Sequence, residues 1–371
     1  MAGKKLGLNL FTAITVLSVA IVVVVSNVPD SYAQGTSLKN ELLKGSLWFS
    51  LAGGASSPGP EIDSLSLAAT SPGNYTTDDL ICSYNLAGTA TTAAVAWYKD
   101  GSPHKALYMP FEGGAVDALF DYSGHGHIAS ENGSPAWNST GGYDGFGYYS
   151  FNGSSDYITI PHSPLLEFDH ITMAAWIYVD TYQNDQRIVS KEFGSGDPYS
   201  IYTLMLSGTA EKKLTMRLGV EEQTTWEQIY SISDVPLGEW VHVAGTFDGS
   251  EGIVYINGVP DNSSPMSGVL RKNDRVLYIG ASEFYGRYFD GSIDEVRIYD
   301  YALSPEQIAV LYNGGLDTLR YTETTDGEEW KTYVTPFTAT EAGSTYVSNS
   351  ITIGQGSVAP LIVSMPETTA T

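Results

Sequence analysis

From Ile62 onward apolar and polar positions alternate in short runs, one every 8 to 15 residues, separated by Gly, Asn, Asp and Pro. The alternation is clearest in Tyr157–Ile160, Met173–Val179, Trp240–Phe247, Ile253–Ile256 and Val276–Ile279. Short strands at that spacing predict an all-β sandwich. Asn257-Gly258 predicts a hairpin turn, because both residues tolerate positive φ. Trp176 and Trp240 lie in alternating strands and are expected to project between two sheets about 10 Å apart. Ile293, Val296 and Ile298 do not share one parity, which predicts a bulge near Glu295 or burial on both faces. One stretch reads as a helix. Ser304 is its N-cap, Pro305 its first residue, Gln307 the capping-box partner, and Gly314-Gly315 its end.

The N-terminal pattern differs. Lys4 and Lys5 precede an uncharged run of 20 residues, Leu6 to Val25, long enough to cross a bilayer as a helix. Ser31-Tyr32-Ala33 then offers small residues at the right places for cleavage after Ala33. Residues 1–33 therefore read as a signal peptide or, if uncleaved, a signal anchor holding the chain to a membrane. Both readings send the body out of the cytoplasm, to the cell surface or beyond. Residues 34–60 read as a polar linker.

Composition narrows the partners. A net charge of −24, from 42 acidic and 18 basic side chains, repels nucleic acid. The single cysteine, Cys82, excludes an intrachain disulfide and a Cys-based zinc site, and the six histidines do not cluster at ligand spacing. Asn-x-Ser/Thr sequons stand at Asn74, Asn132, Asn138, Asn152 and Asn262, as in an exported glycosylated chain.

Collinear motifs run from about residue 106 to 315. They include Leu107-Tyr108-Met109-Pro110-Phe111-Glu112-Gly113, Asp121-Tyr122-Ser123-Gly124, Thr172-Met173-Ala174-Ala175-Trp176-Ile177 and Trp240-Val241-His242-Val243-Ala244. Gly291-Ser292-Ile293-Asp294-Glu295-Val296-Arg297-Ile298-Tyr299 closes the series. Together they resemble the laminin-G-like jelly-roll modules of the concanavalin A-like lectin/glucanase superfamily. The flanks, 61–105 and 316–354, carry Asp79-Leu80-Ile81-Cys82 with Val95-Ala96-Trp97-Tyr98, and Trp330-Lys331-Thr332-Tyr333. These resemble the B, C and F strands of an immunoglobulin-like domain, with Thr332 where the second cysteine usually stands. The implied architecture is a jelly roll inserted into a split immunoglobulin-like sandwich of a surface protein. Residues 355–371 read as a linker and the start of a further repeat, since Pro360-Leu361-Ile362 echoes Pro60-Glu61-Ile62.

No catalytic constellation stands out. Asp294-Glu295 and Glu221-Glu222 are adjacent pairs, which on a regular strand point to opposite faces and cannot serve one glycosidic bond. No nucleophile elbow or phosphate loop is found. The chain is therefore expected to be no enzyme, a polysaccharide-active hydrolase being the least favoured reading. The laminin-G resemblance implies a structural Ca2+ held by Asp121, Asp294 and, more weakly, Glu112, against the alternative that Asp121 makes an Asx-turn and Asp294 caps a strand. The favoured function is recognition of a glycan or surface protein through loop aromatics: Trp137, Tyr143, Phe146, Trp226, Tyr285 and Tyr288. The alternative is a structural spacer in a surface layer or adhesin.

Overall fold

The computed structural model describes residues 58–354, apart from Glu222 and Tyr285. The export segment read at 1–33, nearly all of the linker, and residues 355–371 lie outside the described residues. Among those described, no helix is long and apolar enough to cross a membrane.

The architecture is all-β. Two antiparallel sheets form the main body. The larger has eight strands, with Val259–Pro265, Glu251–Ile256, Trp240–Phe247, Ile171–Val179, Asp290–Tyr299, Tyr148–Asn152 and Ala136–Asn138 side by side. Its eighth strand, Leu107–Met109, also pairs with Asp290–Tyr299. The second sheet has seven strands in the order Glu227–Asp234, Lys213–Leu218, Ser200–Leu206, Arg187–Glu192, Leu277–Ile279, Tyr157–Ile160 and Ser130–Asn132. Between the sheets lies one aliphatic core, including Met173, Ile177, Val189, Leu204, Met216, Val243, Ile279 and Ile293.

Trp176 is not in that core, contrary to the sequence expectation. In Ile171–Val179 the odd positions face the core, and Ala174 and Trp176 face the opposite side. Trp176 is buried there, and Trp240, half-buried, lies on the same outer side, its register partner being Tyr178. Both parity sets of this strand are apolar, so alternation alone does not choose between them. The odd set packs against the second sheet, and the indole packs between the Tyr143 loop and Tyr312 of the helix.

The parity break in the last long strand is a bulge. Glu295 has φ of +55°, and the register jumps from Ala174↔Arg297 to Trp176↔Asp294. The bulge overturns the opposite-face reading of Asp294 and Glu295. Asp294 accepts the Tyr143 N–H at 3.0 Å and Glu295 accepts the Tyr108 hydroxyl at 3.2 Å, both on the outer side of the sheet.

The helix, Pro305–Tyr312, is capped by the Ser304 hydroxyl, which accepts the Gln307 N–H at 3.2 Å. The other half of the expected box differs: Glu323, not Gln307, accepts the Ser304 N–H at 3.1 Å. Ile308 and Leu311 pack onto Ala174, Ala244, Tyr255 and Tyr299, covering the outer face of the eight-stranded sheet.

The flanking segments meet in a smaller two-sheet sandwich. One sheet is Pro60–Ala69, Leu80–Gly88 and Thr318–Leu319. The other is built on Thr92–Lys99 paired with Glu329–Phe337, in which Thr332 lies opposite Trp97. Leu80, Cys82, Val95, Trp97, Trp330 and Val334 fill the space between them. Cys82 Sγ lies 3.1 Å from Thr332 Oγ1, and burial pushes its thiol up to about 11. This sandwich is tied to the main body by Ala342 N donating to Asp117 Oδ2 (3.1 Å) and by the Tyr122 ring packed edge-on against Phe337 (4.9 Å).

Candidate functional site

The two outer faces of the body differ in chemistry. On the eight-stranded sheet, the Trp176 indole lies under the Tyr143 ring at 3.3 Å between centroids and 12° between planes. The Tyr312 ring is 5.6 Å away, and the His242 ring 5.3 Å. Tyr143 Oη donates to the Tyr312 carbonyl at 3.1 Å, closing the loop onto the helix. His242 is fully buried, and burial pushes its pKa down to about 3, so it stays neutral. This face is sealed.

Two buried carboxyl groups, Asp294 and Glu112, lie beneath that loop, and a third, Asp144, is carried on the loop and exposed. Asp294 Oδ2 accepts from Tyr143 N, Glu112 Oε1 accepts from Gly147 N at 2.8 Å, and Asp144 Oδ1 accepts from Phe146 N at 2.9 Å. The buried Asp294 Oδ1 has no partner. Burial, then the neighbouring Asp144 and Glu112, raise the Asp294 carboxyl well above its usual range. Burial and Asp144 push Glu112 up to about 8, and desolvation of its carboxyl raises Asp144. The loop needs glycine: a Cβ at Gly147 would stand 2.3 Å from the Phe111 carbonyl oxygen, and one at Gly142 2.6 Å from Asp294 Oδ2. Asp121, expected in this group, is engaged elsewhere. Its carboxylate accepts from Tyr108 N (2.9 Å), Ser123 N (2.8 Å) and Ser123 Oγ (2.8 Å), the Asx-turn arrangement. Among the described residues no three His, Cys, Asp or Glu side chains are placed to hold a metal ion as they stand.

The outer face of the seven-stranded sheet is the opposite case. Its strand register aligns Ser130, Thr159, Tyr278, Ser190, Thr203, Arg217 and Gln228, one residue from every strand. All seven are polar. The next row, Ile158, Ile279, Val189, Leu204, Met216 and Ile229, is apolar and faces the core, ending at exposed Glu131 on the edge strand. A second outer row runs Arg187, Met205, Thr215, Tyr230. The polar row is exposed at Ser130, half-buried at Tyr278, Arg217 and Gln228, and fully buried at Ser190 and Thr203, so its floor at the two central strands is closed to solvent and its ends are open. On its floor, Thr203 Oγ1, Thr215 Oγ1, Arg187 Nε and Arg217 Nε lack hydrogen-bond partners. Aromatic rings stand along the rim. Trp226 lies 5.0 Å below the Arg217 guanidinium and 5.3 Å from Tyr199, while Tyr157 is 5.6 Å from Tyr278 and 6.2 Å from Tyr288.

The aromatics chosen from sequence therefore divide. Trp226 and Tyr288 border the polar face. Trp137 packs on the core and donates to the Phe111 carbonyl (2.8 Å), and Tyr143 is the lid over Trp176. Phe146 is half-buried in the acid-bearing loop, and Tyr285 is outside the described residues. Ser190, Thr203, Arg217 and Gln228 were missed. No local signal marks them, because only the strand register brings them together. Among the sequons, Asn132, Asn138 and Asn262 use Nδ2 in hydrogen bonds to Thr159, Ser150 and the Tyr230 carbonyl. Asn152 lies exposed at the end of the strand Tyr148–Asn152, and Asn74 half-buried in a loop.

Residues 152–309 match the family model described as the concanavalin A-like lectin/glucanases superfamily. The human adhesion G-protein coupled receptor D1 is 32% identical over 101 residues, which is 26% of this chain and 11% of the receptor. Rabbit (Oryctolagus cuniculus) C-reactive protein is 30% identical over 99 residues, 24% of this chain and 44% of that protein. The chain thus spans less than half the length of either relative. Among solved structures, domain 4 of the Geobacillus stearothermophilus extracellular arabinanase AbnA, in complex with arabinotriose, aligns with a TM-score of 0.46 at 20% identity, over 56% of this chain and 98% of that domain. The botulinum neurotoxin serotype G binding domain aligns with a TM-score of 0.46 at 17% identity, over 57% and 51% of the two chains.

Proposed function

We propose, taking as premise that residues 152–309 form a module of the concanavalin A-like lectin/glucanases superfamily, that the chain is a non-catalytic recognition protein. Its ligand surface is the outer face of the seven-stranded sheet, and its ligand a carbohydrate. One observation carries the reading: a polar residue from each of the seven strands lies in a single cross-strand row, with unpartnered donors and acceptors buried at its centre. An unpartnered buried polar group costs about 1–3 kcal/mol, so a floor holding several is stabilised by a ligand rich in hydroxyls. Tyrosine and tryptophan faces on the rim suit the C–H faces of sugar rings.

The absence of catalysis rests on the same face. Among the described residues Glu192 is its one buried carboxylate, held by Ser190 (2.9 Å), Ser200 (3.3 Å) and Arg187 (3.6 Å). Hydrolysis of a glycosidic bond by the usual route needs two facing carboxyl groups. The smaller sandwich is read as the immunoglobulin-like support of the module, with Cys82 and Thr332 in the place of its inter-sheet disulfide. Export through residues 1–33 to the cell surface is supported by their charge and hydropathy pattern.

Calcium belongs to the sealed side. The donors fit a hard cation in kind: two buried carboxyl groups, Asp294 and Glu112, beside the more exposed Asp144, with the Asp294 Oδ1 unpartnered. Asp294 and Glu112 would hold the ion with Asp144, in place of Asp121, and its role would be to pin the Gly142–Gly147 loop.

A glycan array tests the reading. Wild type should bind, and Tyr278→Ala and Gln228→Ala should abolish or weaken binding without changing the melting temperature. A blank array, or binding indifferent to both substitutions, would sink it.

A further inference from the structure

The polar face carries a charge imbalance that bears on which sugars it takes. The chain has seven arginines, and five of them, Arg187, Arg217, Arg271, Arg275 and Arg287, lie on strands or loops of the seven-stranded sheet. Three are matched by carboxylates: Arg187 by Glu192 (3.6 Å), Arg287 by Asp185 (3.6 Å) and Arg275 by Glu283 (2.5 Å). Arg217 is not. Its side-chain partner is the neutral amide of Gln228 at 3.4 Å, and its Nε has no partner. It sits in the polar row itself, directly opposite Thr203, whose hydroxyl is buried and unpartnered. The Trp226 ring holds the guanidinium from one side, which fixes a side chain that would otherwise be free to turn to solvent.

The rest of the molecule is acidic, with a net charge of −24. That excess does not decide what happens on this face. At physiological salt, charges further than about 8 Å away are largely screened, so the local balance governs a bound group. A half-buried guanidinium with no carboxylate in contact gains from an anion that meets it, and its planar fork matches a carboxylate or a sulfate with two parallel hydrogen bonds.

We infer that the face selects acidic saccharides, seating the anionic group of one sugar unit on Arg217 beside Thr203 while a neighbouring ring lies against the rim aromatics. This rests on the polar face being the ligand surface, and it adds the ligand class.

The test is affinity electrophoresis of the full chain through gels containing polygalacturonate, dextran sulfate or neutral dextran, at low and moderate salt. Wild type should be retarded by at least one acidic polymer and not by dextran, with retardation falling as salt rises. Which acidic polymer works separates carboxylate from sulfate recognition. Arg217→Gln should weaken retardation about tenfold, and Arg217→Lys should recover part of it. Lys331→Gln, which removes one equal charge from the smaller sandwich, should change nothing. Melting curves identify any variant that fails to fold, and the comparison of Lys with Gln at 217 then carries the result. Equal retardation of wild type and Arg217→Gln, or none by either acidic polymer, overturns the inference. Retardation by dextran that Tyr278→Ala removes would overturn acidic selectivity and leave carbohydrate recognition standing.

Discussion

The two outer faces of the jelly roll start from the same strand chemistry and end differently. Both lie on antiparallel sheets whose inner rows are aliphatic. On the eight-stranded sheet the outer row carries Ala174, Trp176 and Tyr299, and a helix and the Tyr143 loop close over it. On the seven-stranded sheet the outer row carries Ser190, Thr203 and Arg217. The difference teaches that covering is specified by the face itself. An apolar outer row gains by being sealed. A polar one gains nothing from a helix, and here it leaves Thr203 Oγ1 buried without a partner.

The comparison can be broken in several places. The largest effect is expected from Trp176→Ala, which empties the sealed face and should cost about 3–5 kcal/mol of stability in denaturant unfolding while leaving ligand binding by the folded fraction intact. Gly147→Ala forces a Cβ against the Phe111 carbonyl and should cost about 1–3 kcal/mol, by the same measurement.

A pH series sharpens the sealed side further. The Glu112 carboxyl is raised from 4.5 to about 8, so the folded chain holds a proton that the unfolded chain has already released. That contribution to the stability of metal-free protein is fully present below about 4.5 and is lost as pH climbs through about 8. Added calcium should flatten the decline, because the ion replaces the proton; a melting temperature indifferent to calcium at pH 8 would remove the ion site. The smallest effect belongs to the open face. Thr203→Val replaces an unpartnered hydroxyl by a methyl of the same shape and should change stability by less than about 1 kcal/mol, while reducing ligand affinity.

Much of the fold was legible in sequence because it is local. Strand alternation, the broken parity at Ile293, Val296 and Ile298, and Ser304 as N-cap each depend on residues a few positions apart, and the sheets, the Glu295 bulge and the helix follow them. What was not legible depends on distant pairing. Whether Trp176 faces in or out is undecided in a strand apolar on both sides. Asp144 sits in a glycine-rich loop that nothing local connects to Asp294, 150 positions later. The polar row is the clearest case: Thr203 in Ser200–Leu206 reads as an ordinary β-branched strand residue until the register sets it beside Ser190 and Arg217.

Hydrogen–deuterium exchange of the wild-type chain, with and without the best-binding glycan, bears most directly on the assignment of the ligand face. Protection should rise in Arg187–Glu192, Ser200–Leu206 and Lys213–Leu218 and stay unchanged in Pro305–Tyr312 and the Gly142–Gly147 loop. Protection confined to the helix and that loop would contradict the account.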